Sequence, residues 1–110
     1  MRYLEITPND TLNNLIELSN NSPIVVFKHS NRCAISKWVW NDFQTSKLPD
    51  DVKVYLLDVI QYRSLSNAIA EHFHVRHESP QALLISAGTC LYHDSHQSID
   101  AVKLVEVLNT

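Results

Sequence analysis

The sequence contains a single glycine, Gly88, among its 110 residues, and only two cysteines, Cys33 and Cys90. Loops that cradle phosphate groups need several glycines, so the phosphate-binding motifs of nucleotide-dependent enzymes are excluded. The chain shows no export signal, so we expect the two cysteines to lie in a reducing cytosol, where a disulfide framework is not favoured. Each cysteine is therefore expected to be either an apolar core residue or a chemically active thiol.

Long apolar runs and a surplus of positive charge are also absent. No stretch approaches the ~18 apolar residues that a membrane span requires, and the first residues contain no signal-peptide region. The formal net charge is -3, which offers no basic face for nucleic acid. We therefore expect a cytoplasmic protein without membrane or nucleic-acid partners. Its length and its 45% apolar content predict one domain over residues 1–110.

Hydrophobic periodicity predicts secondary-structure elements in the order α-β-α-β-α-β-β-α. An unbroken apolar strand ends at Lys28, and a helix begins at Cys33, with its inner side predicted to carry Ile35, Trp38, Val39 and Phe43. Ser98 is the expected N-cap of the last helix. The predicted helices lie at residues 11–19, from 33 onward, at 64–73 and after 98, and the predicted strands lie at 24–27, 52–58, 82–86 and 89–93.

The order of these elements indicates how the strands pair. The early strands, which are separated by helices, are expected to be parallel, whereas the last two are joined by Ala87-Gly88 and form an antiparallel hairpin. The result is an α/β protein with a central mixed four-stranded sheet and helices on both faces. This arrangement resembles the thioredoxin fold.

Cys33 lies where a buried strand has ended and a helix begins. Ligands of open α/β sheets gather at the carboxyl ends of strands, and the N–H groups of a helix N-terminus favour an anion. The helix N-terminus lowers the pKa of a thiol and favours the nucleophilic thiolate. A buried structural cysteine is the alternative. Nearby positive or titratable side chains, expected to act in the same direction, are Lys28, His29, Arg32 and Lys37.

Ser36 completes a C-x-x-S motif with Cys33. In a C-x-x-C protein the second cysteine attacks the mixed disulfide, which a serine cannot do, although its hydroxyl can donate a hydrogen bond to the thiolate. A mixed disulfide on Cys33 must then wait for an external thiol, so the motif predicts monothiol chemistry. The alternative for Ser36 is a helix residue that faces solvent.

Ser79 and Pro80 precede the first hairpin strand. In thioredoxin folds a cis proline at this point faces the reactive cysteine, so we expect the Ser79-Pro80 bond to be cis although trans is the general default. The backbone of Ser79 is then expected to pair with an extended substrate segment.

Cys90 follows the Gly88 turn, and strand geometry places it about 10 Å or more from the active end of the sheet. We therefore do not expect it to act as a resolving thiol. The segment from His93 to His96 returns toward the active end and is better placed to touch a ligand. The remaining histidines lack a metal-ligand motif, so we expect no metal site from His72, His74 and His77.

The segment at residues 27–36 resembles the active-site segment of monothiol bacilliredoxins, which has the pattern K-H-S-x-x-C-P-I-S. The chain departs from that pattern at Ala34, where the family has proline, and this adds an N–H group at the helix start. Weaker similarities lie at residues 79–81 and 92–96. The residues that match the pattern are Lys28, His29, Ser30, Cys33, Ile35 and Ser36.

The resemblance implies that Cys33 removes bacillithiol from S-thiolated cytosolic proteins. Bacillithiol, or another low-molecular-weight thiol, would be the co-substrate, with no tightly bound cofactor and a monomeric protein. The carboxylates of bacillithiol would meet Lys28, Arg32 and the last helix N-terminus near Ser98. The other substrate-binding residues would be His29, Ser79 and Pro80.

Three other functions fit the same residues. Cys33 beside Arg32 would suit reduction of arsenate or a peroxide. A monothiol protein of this fold can instead bind an iron–sulfur cluster between two subunits, with an external thiol as further ligand. The chain can also be a binding module that kept the fold without the chemistry.

Overall fold

A mixed sheet of five strands forms the centre of the computed structural model, which describes residues 1–110. The strand order is β1-β3-β2-β4-β5. Strands β1, β3 and β2 are parallel, while β4 runs antiparallel to both β2 and β5. In chain order the elements are β1 (Tyr3–Glu5), α1 (Leu12–Asn21), β2 (Ile24–His29), α2 (Ala34–Gln44), β3 (Lys53–Asp58), α3 (Arg63–Phe73), β4 (Gln81–Ser86), β5 (Thr89–Ser95), a 3-10 turn (His96–Ser98) and α4 (Ala101–Leu108).

The predicted α/β class and the predicted strand directions are confirmed, but the expected number of four strands is wrong. The additional strand, β1, is three residues long, and all three are exposed. An exposed edge strand has no alternation of apolar and polar residues for a periodicity argument to detect. It pairs with β3 through main-chain hydrogen bonds, with Leu4 opposite Tyr55.

The helices pack in two layers because alternate residues of each strand point to opposite faces. Ile24 and Val26 of β2 lie in one core with Leu15 of α1 and Ile69 of α3. Their neighbour Phe27 lies in the other core, which α2 and α4 cover with Val39, Phe43 and Leu104. No helix has both the length and the apolar character needed to cross a membrane.

Helix α2 buries a different face from the one predicted. Its buried residues are Ser36, Val39, Trp40 and Phe43, whereas Ile35 is 47% exposed and Trp38 is 63% exposed. The buried set follows the i, i+3, i+4, i+7 spacing of one helical face, which runs through a serine. The expectation that Ile35 and Trp38 point inward was wrong. It assigned apolar residues to the buried side, whereas the buried face of this helix includes Ser36 and leaves Ile35 and Trp38 exposed.

Asp100, rather than Ser98, caps the last helix. The Asp100 carboxylate accepts hydrogen bonds from the N–H groups of Val102 at 2.9 Å and Lys103 at 3.4 Å. Ser98 ends the preceding 3-10 turn and is exposed. The prediction of Ser98 as N-cap was wrong by two positions because residues 96–98 form a 3-10 turn, so that α4 begins only at Ala101.

Candidate active site

Cys33 occupies the N-cap position of α2, four residues after the end of β2. A tight turn holds it there, because its N–H donates to the Ser30 carbonyl at 3.2 Å. Its own carbonyl accepts the first hydrogen bond of α2, from Lys37 N–H at 3.1 Å. The side chain is half-buried and forms no disulfide. The sulfur therefore lies at the carboxyl end of a central strand and at a helix N-terminus, as the sequence predicts.

The pKa of the Cys33 thiol lies below its ordinary value. The strongest cause is the backbone N–H of Ser36, which favours the thiolate. The neutral thiol makes no capping hydrogen bond to the helix. Desolvation opposes this effect, while the N–H of Ile35 and the Ser36 hydroxyl lower the pKa further. The helix start therefore lowers this pKa, and the neighbouring cations are not among its causes.

Ser36 faces the protein interior and is fully buried, so the alternative of a solvent-facing residue does not hold. Its hydroxyl oxygen lies 3.5 Å from that of Ser79, within hydrogen-bond distance. The Ser79-Pro80 peptide bond is cis, as expected. The Pro80 carbonyl accepts a hydrogen bond from His96 N–H at 2.9 Å. The C-x-x-S motif and the Ser79-Pro80 segment are therefore neighbours at the edge of the sheet where β2 ends and β4 begins.

Lys28 does not lie on the surface where a substrate would contact it. Its side chain is fully buried on the α3 side of the sheet. The ammonium donates to the Ser66 carbonyl at 3.0 Å and lies 3.4 Å from His77 Nδ1. Burial lowers the pKa of Lys28 to about 8. The expectation that Lys28 binds substrate fails because consecutive strand residues point to opposite faces, and this position points into the core.

His29 lies on the opposite face of β2, toward α2, and is only 7% exposed. Its ring lies 6.4 Å from the Trp40 ring, measured between centroids. Burial lowers the pKa of His29, while the carboxylates of Asp58 and Glu5 act in the raising direction. Its Nδ1 atom is buried and has no hydrogen-bond partner. His29 is thus a buried imidazole near the site, flanked by two carboxylates.

Arg32 remains as the exposed cation directly before Cys33. Its backbone N–H donates to Ser30 Oγ at 3.3 Å, and its guanidinium makes no ion pair. The N-terminus of α4, expected to help bind carboxylates, is already occupied by the Asp100 carboxylate. A second anion there would meet a like charge, so Arg32 is the better placed group for an acidic ligand.

Cys90 lies beside the Gly88 turn, paired with Ile85, whereas the site lies at the other end of the hairpin, where Gln81 pairs with Ser95. Burial raises the pKa of Cys90. At the site end, His96 Nε2 lies 3.1 Å from a carboxylate oxygen of Glu78. No group of three or more histidine, cysteine or acidic side chains is arranged to hold a metal ion.

Sequence reasoning missed a polar cleft of about 600 Å³ beside the active-site loop. Glu5, His29 and Asp58, the last residues of the three parallel strands, line it together with Asn31 and residues of α2. Glu5 belongs to the unpredicted strand β1. The signal that could have found the cleft is the polar residue that ends each parallel strand.

Comparisons with known proteins agree with this architecture. A model of the family described as Monothiol bacilliredoxin BrxC matches residues 4–104 of the chain. A solved structure described as that of a candidate oxidoreductase with a thioredoxin fold is 27% identical, with a TM-score of 0.80, over 96% of this chain and 93% of the other.

Two thioredoxins are similar in structure at lower identity. That of Malassezia sympodialis is 18% identical, with a TM-score of 0.68, over 98% of this chain and 90% of the other. Thioredoxin O2 from Arabidopsis thaliana is 19% identical, also with a TM-score of 0.68, over 97% of this chain and 91% of the other. These two comparisons establish the thioredoxin fold and nothing further.

Proposed function

Because the chain belongs to the monothiol bacilliredoxin family, whose model matches residues 4–104, we propose that it removes bacillithiol, or a similar low-molecular-weight thiol, from protein mixed disulfides through Cys33. The family and the thioredoxin-like oxidoreductase fold together support a thiol redox function. The specific substrate and the monothiol cycle are the proposal.

The observation that carries the proposal is the environment of the two cysteines. Cys33 is accessible at the start of α2, and its pKa is lowered. Cys90 lies at the other end of the β4–β5 hairpin, and burial raises its pKa. The position three residues after Cys33 holds Ser36, which contacts Ser79. One reactive thiol without a resolving partner fits a monothiol cycle.

The proposed cycle has two thiol–disulfide exchanges. The Cys33 thiolate attacks the small-thiol sulfur of the protein mixed disulfide, so that a new disulfide forms between Cys33 and the small thiol. The old disulfide bond breaks, and the protein leaves as a thiolate that takes a proton from water. An external small thiolate then attacks the sulfur of the small thiol on Cys33. Cys33 leaves as a thiolate, and the two small thiols leave as their disulfide.

The surrounding residues have separate roles in this cycle. The Ser36 N–H and hydroxyl stabilise Cys33 as the thiolate, both as nucleophile and as leaving group. The backbone of Ser79 pairs with an extended segment of the protein substrate. Arg32 attracts the carboxylates of the small thiol. The partners in this proposal are S-thiolated cytosolic proteins, with the enzyme acting in the cytoplasm as a monomer and without a tightly bound cofactor.

The test is intact-mass spectrometry after the reduced protein is mixed with a bacillithiolated test protein. The wild type and a Cys90→Ser control should gain the mass of bacillithiol, while Cys33→Ser should gain nothing. A glutathionylated test protein measures the preference among small thiols and should transfer poorly. If neither adduct moves to the wild type, the proposed thiol transfer is wrong.

A further inference from the structure

The segment of residues 77–80, which leads into β4, has little main-chain support of its own. Residues 77–79 make no hydrogen bond to other main-chain groups. Just before the segment, the Arg76 carbonyl accepts a hydrogen bond from the side-chain amide of Gln81 at 2.8 Å. The main chain of Ser79 is thus free to pair with a substrate, and side chains must hold the segment in place.

His77 is the side chain that joins this segment to the body of the protein. Its Nδ1 atom lies 3.2 Å from Ser66 Oγ on α3 and 3.4 Å from Lys28 Nζ on β2. An ammonium group can only donate, so Nδ1 is the acceptor and the ring proton lies on Nε2. Lys28 and Ser66 are fully buried. The three side chains therefore connect the segment to a central strand and to a helix.

Lys28 is a costly residue at its position. Burial lowers its pKa only to about 8, so the side chain is mostly charged at pH 7. Its ammonium faces the Ser66 carbonyl and His77 Nδ1, and no carboxylate pairs with it. A buried charge without a counter-ion destabilises the native state. Stability therefore does not explain a lysine here, whereas its contact with His77 gives it a role at the site.

We propose that Lys28 and His77 are positioning residues, which together with Ser66 fix the main chain of Ser79 for the protein half of the substrate. This inference rests on the proposed function, in which that main chain pairs with the protein substrate. Ser36 of α2 contacts the segment from one face of the sheet. Lys28 and Ser66 hold it from the other face, which α3 covers.

The contact itself is tested by the pKa of His77. Partial burial lowers this pKa, and the cations Lys28 of β2 and Arg63 of α3 lower it further, while the carboxylate of Glu78 acts in the raising direction. Lys28→Met removes one cation, so the pKa of His77 should rise. An NMR titration of the His77 ring in both proteins measures it. An unchanged pKa would mean that Lys28 does not hold the ring, and it would overturn the inference.

The positioning role is tested with two disulfides. A bacillithiolated test protein offers an extended segment to Ser79, whereas bis(2-hydroxyethyl) disulfide offers none. Lys28→Met and His77→Leu should each raise KM for the protein adduct roughly fivefold, because a misplaced segment pairs less well with the substrate. The loss should be confined to the protein adduct. Equal losses with both disulfides, or no loss with the protein adduct, would overturn the positioning role.

Three further variants serve as rescue and controls. His77→Asn should restore the low KM, because its amide oxygen can accept a hydrogen bond from Lys28 in place of Nδ1. Lys53→Met on β3 and His72→Leu on α3 change exposed residues of the same types and should match the wild type. A high KM in His77→Asn, or in either control, would contradict the assignment.

Stability separates positioning from a merely structural role. Lys28→Met should bind the protein adduct more weakly although its free energy of unfolding at pH 7 is higher, whereas a structural role alone would lower both together. If the wild type turns over neither disulfide, the proposed thiol transfer is wrong and the positioning role fails with it. If the wild type turns over both and the variants match it, only the positioning role is wrong.

Discussion

The side-chain oxygens of Ser36 and Ser79 lie 3.5 Å apart, although 43 positions separate the two residues in the sequence. The contact joins the first turn of α2 to the segment that contains the cis Ser79-Pro80 bond. Ser36 is therefore more than a replacement for a resolving cysteine. It ties the helix that carries the reactive thiol to the strand segment proposed to hold the protein substrate.

Replacement of Ser36 by cysteine should convert the single-thiol cycle into a dithiol cycle. A thiol at this position can attack an adduct on Cys33, so the small thiol is released and a disulfide joins residues 33 and 36. Intact-mass spectrometry should show the adduct persisting on the wild type and absent from Ser36→Cys. Ser64→Cys, at an exposed position on α3, is the control and should keep its adduct. A persistent adduct on Ser36→Cys would contradict the proposed geometry.

Cys33 should react with iodoacetamide much faster than Cys90 at pH 7. Hydrogen-bond donors at the start of α2 lower the pKa of Cys33, whereas burial raises the pKa of Cys90. The thiolate is the nucleophile, so the pH midpoint of Cys33 alkylation should fall below the ~8.5 of a free thiol. Peptide mapping after timed labelling measures both sites. Ser36→Ala should move the Cys33 midpoint upward, and an unmoved midpoint would remove the hydroxyl as a cause.

Lys28→Met should raise the free energy of unfolding at pH 7, and the gain should shrink as the pH rises. The pKa of Lys28 is about 8 in the fold against 10.5 for the free side chain, so below pH 8 burial of the charged form destabilises the native state. Between pH 8 and pH 10.5 Lys28 is protonated in the unfolded chain but largely neutral in the fold, so the free energy of unfolding of the wild type rises with pH. The rise relative to the variant is roughly 3 kcal/mol at most.

Urea unfolding at pH 7, 8 and 9 measures this effect. Lys53→Met, at an exposed position that begins β3, is the matched control and should show a difference from wild type that does not change with pH. A pH-independent difference for Lys28→Met as well would mean that the buried amine stays protonated in the fold through pH 9, so that burial does not lower its pKa.

Arg32→Ala should slow transfer from a bacillithiol adduct more than from an uncharged 2-mercaptoethanol adduct. The exposed guanidinium has no partner in the protein and lies directly before Cys33, so its charge is free for a carboxylate ligand. We expect roughly a tenfold loss in kcat/KM, the effect of about 1.4 kcal/mol of charge-assisted hydrogen bonding. Equal losses with both adducts would mean that Arg32 acts on Cys33 and not on the ligand.

The local chemistry of the active-site segment was predictable from neighbouring residues. An apolar run that ends at Lys28 and a helix that begins at Cys33 place the thiol at a strand end and a helix start, and the structure has this arrangement. The Ser79-Pro80 bond was expected to be cis from the order of elements, and it is. The first inference holds because a strand end or helix start is set by interactions within a few residues, whereas the cis bond was expected from the place of Pro80 in the order of elements.

The direction of individual side chains was predicted less well. The sequence predicts Lys28 and His29 as positive or titratable groups beside the thiol, but their side chains point to opposite faces of the sheet. Ile35 and Trp38 read as core residues, yet the buried face of α2 passes through Ser36. In each case the orientation of the strand or helix relative to the sheet decides which side chains are buried. A shift of one residue moves a side chain from the buried side to the exposed side.

The sequence by itself determined the α/β class, the order of the predicted elements and the position of Cys33 at the start of a helix, because these depend on short-range periodicity and on backbone geometry. Only the tertiary structure decided which charges face the site. It buried Lys28 against Ser66, brought Ser36 to Ser79, and assembled Glu5, His29 and Asp58 from three separate strands into one cleft. The physical reason is that these contacts join distant parts of the chain, and their formation depends on strand pairing and packing that no local pattern encodes.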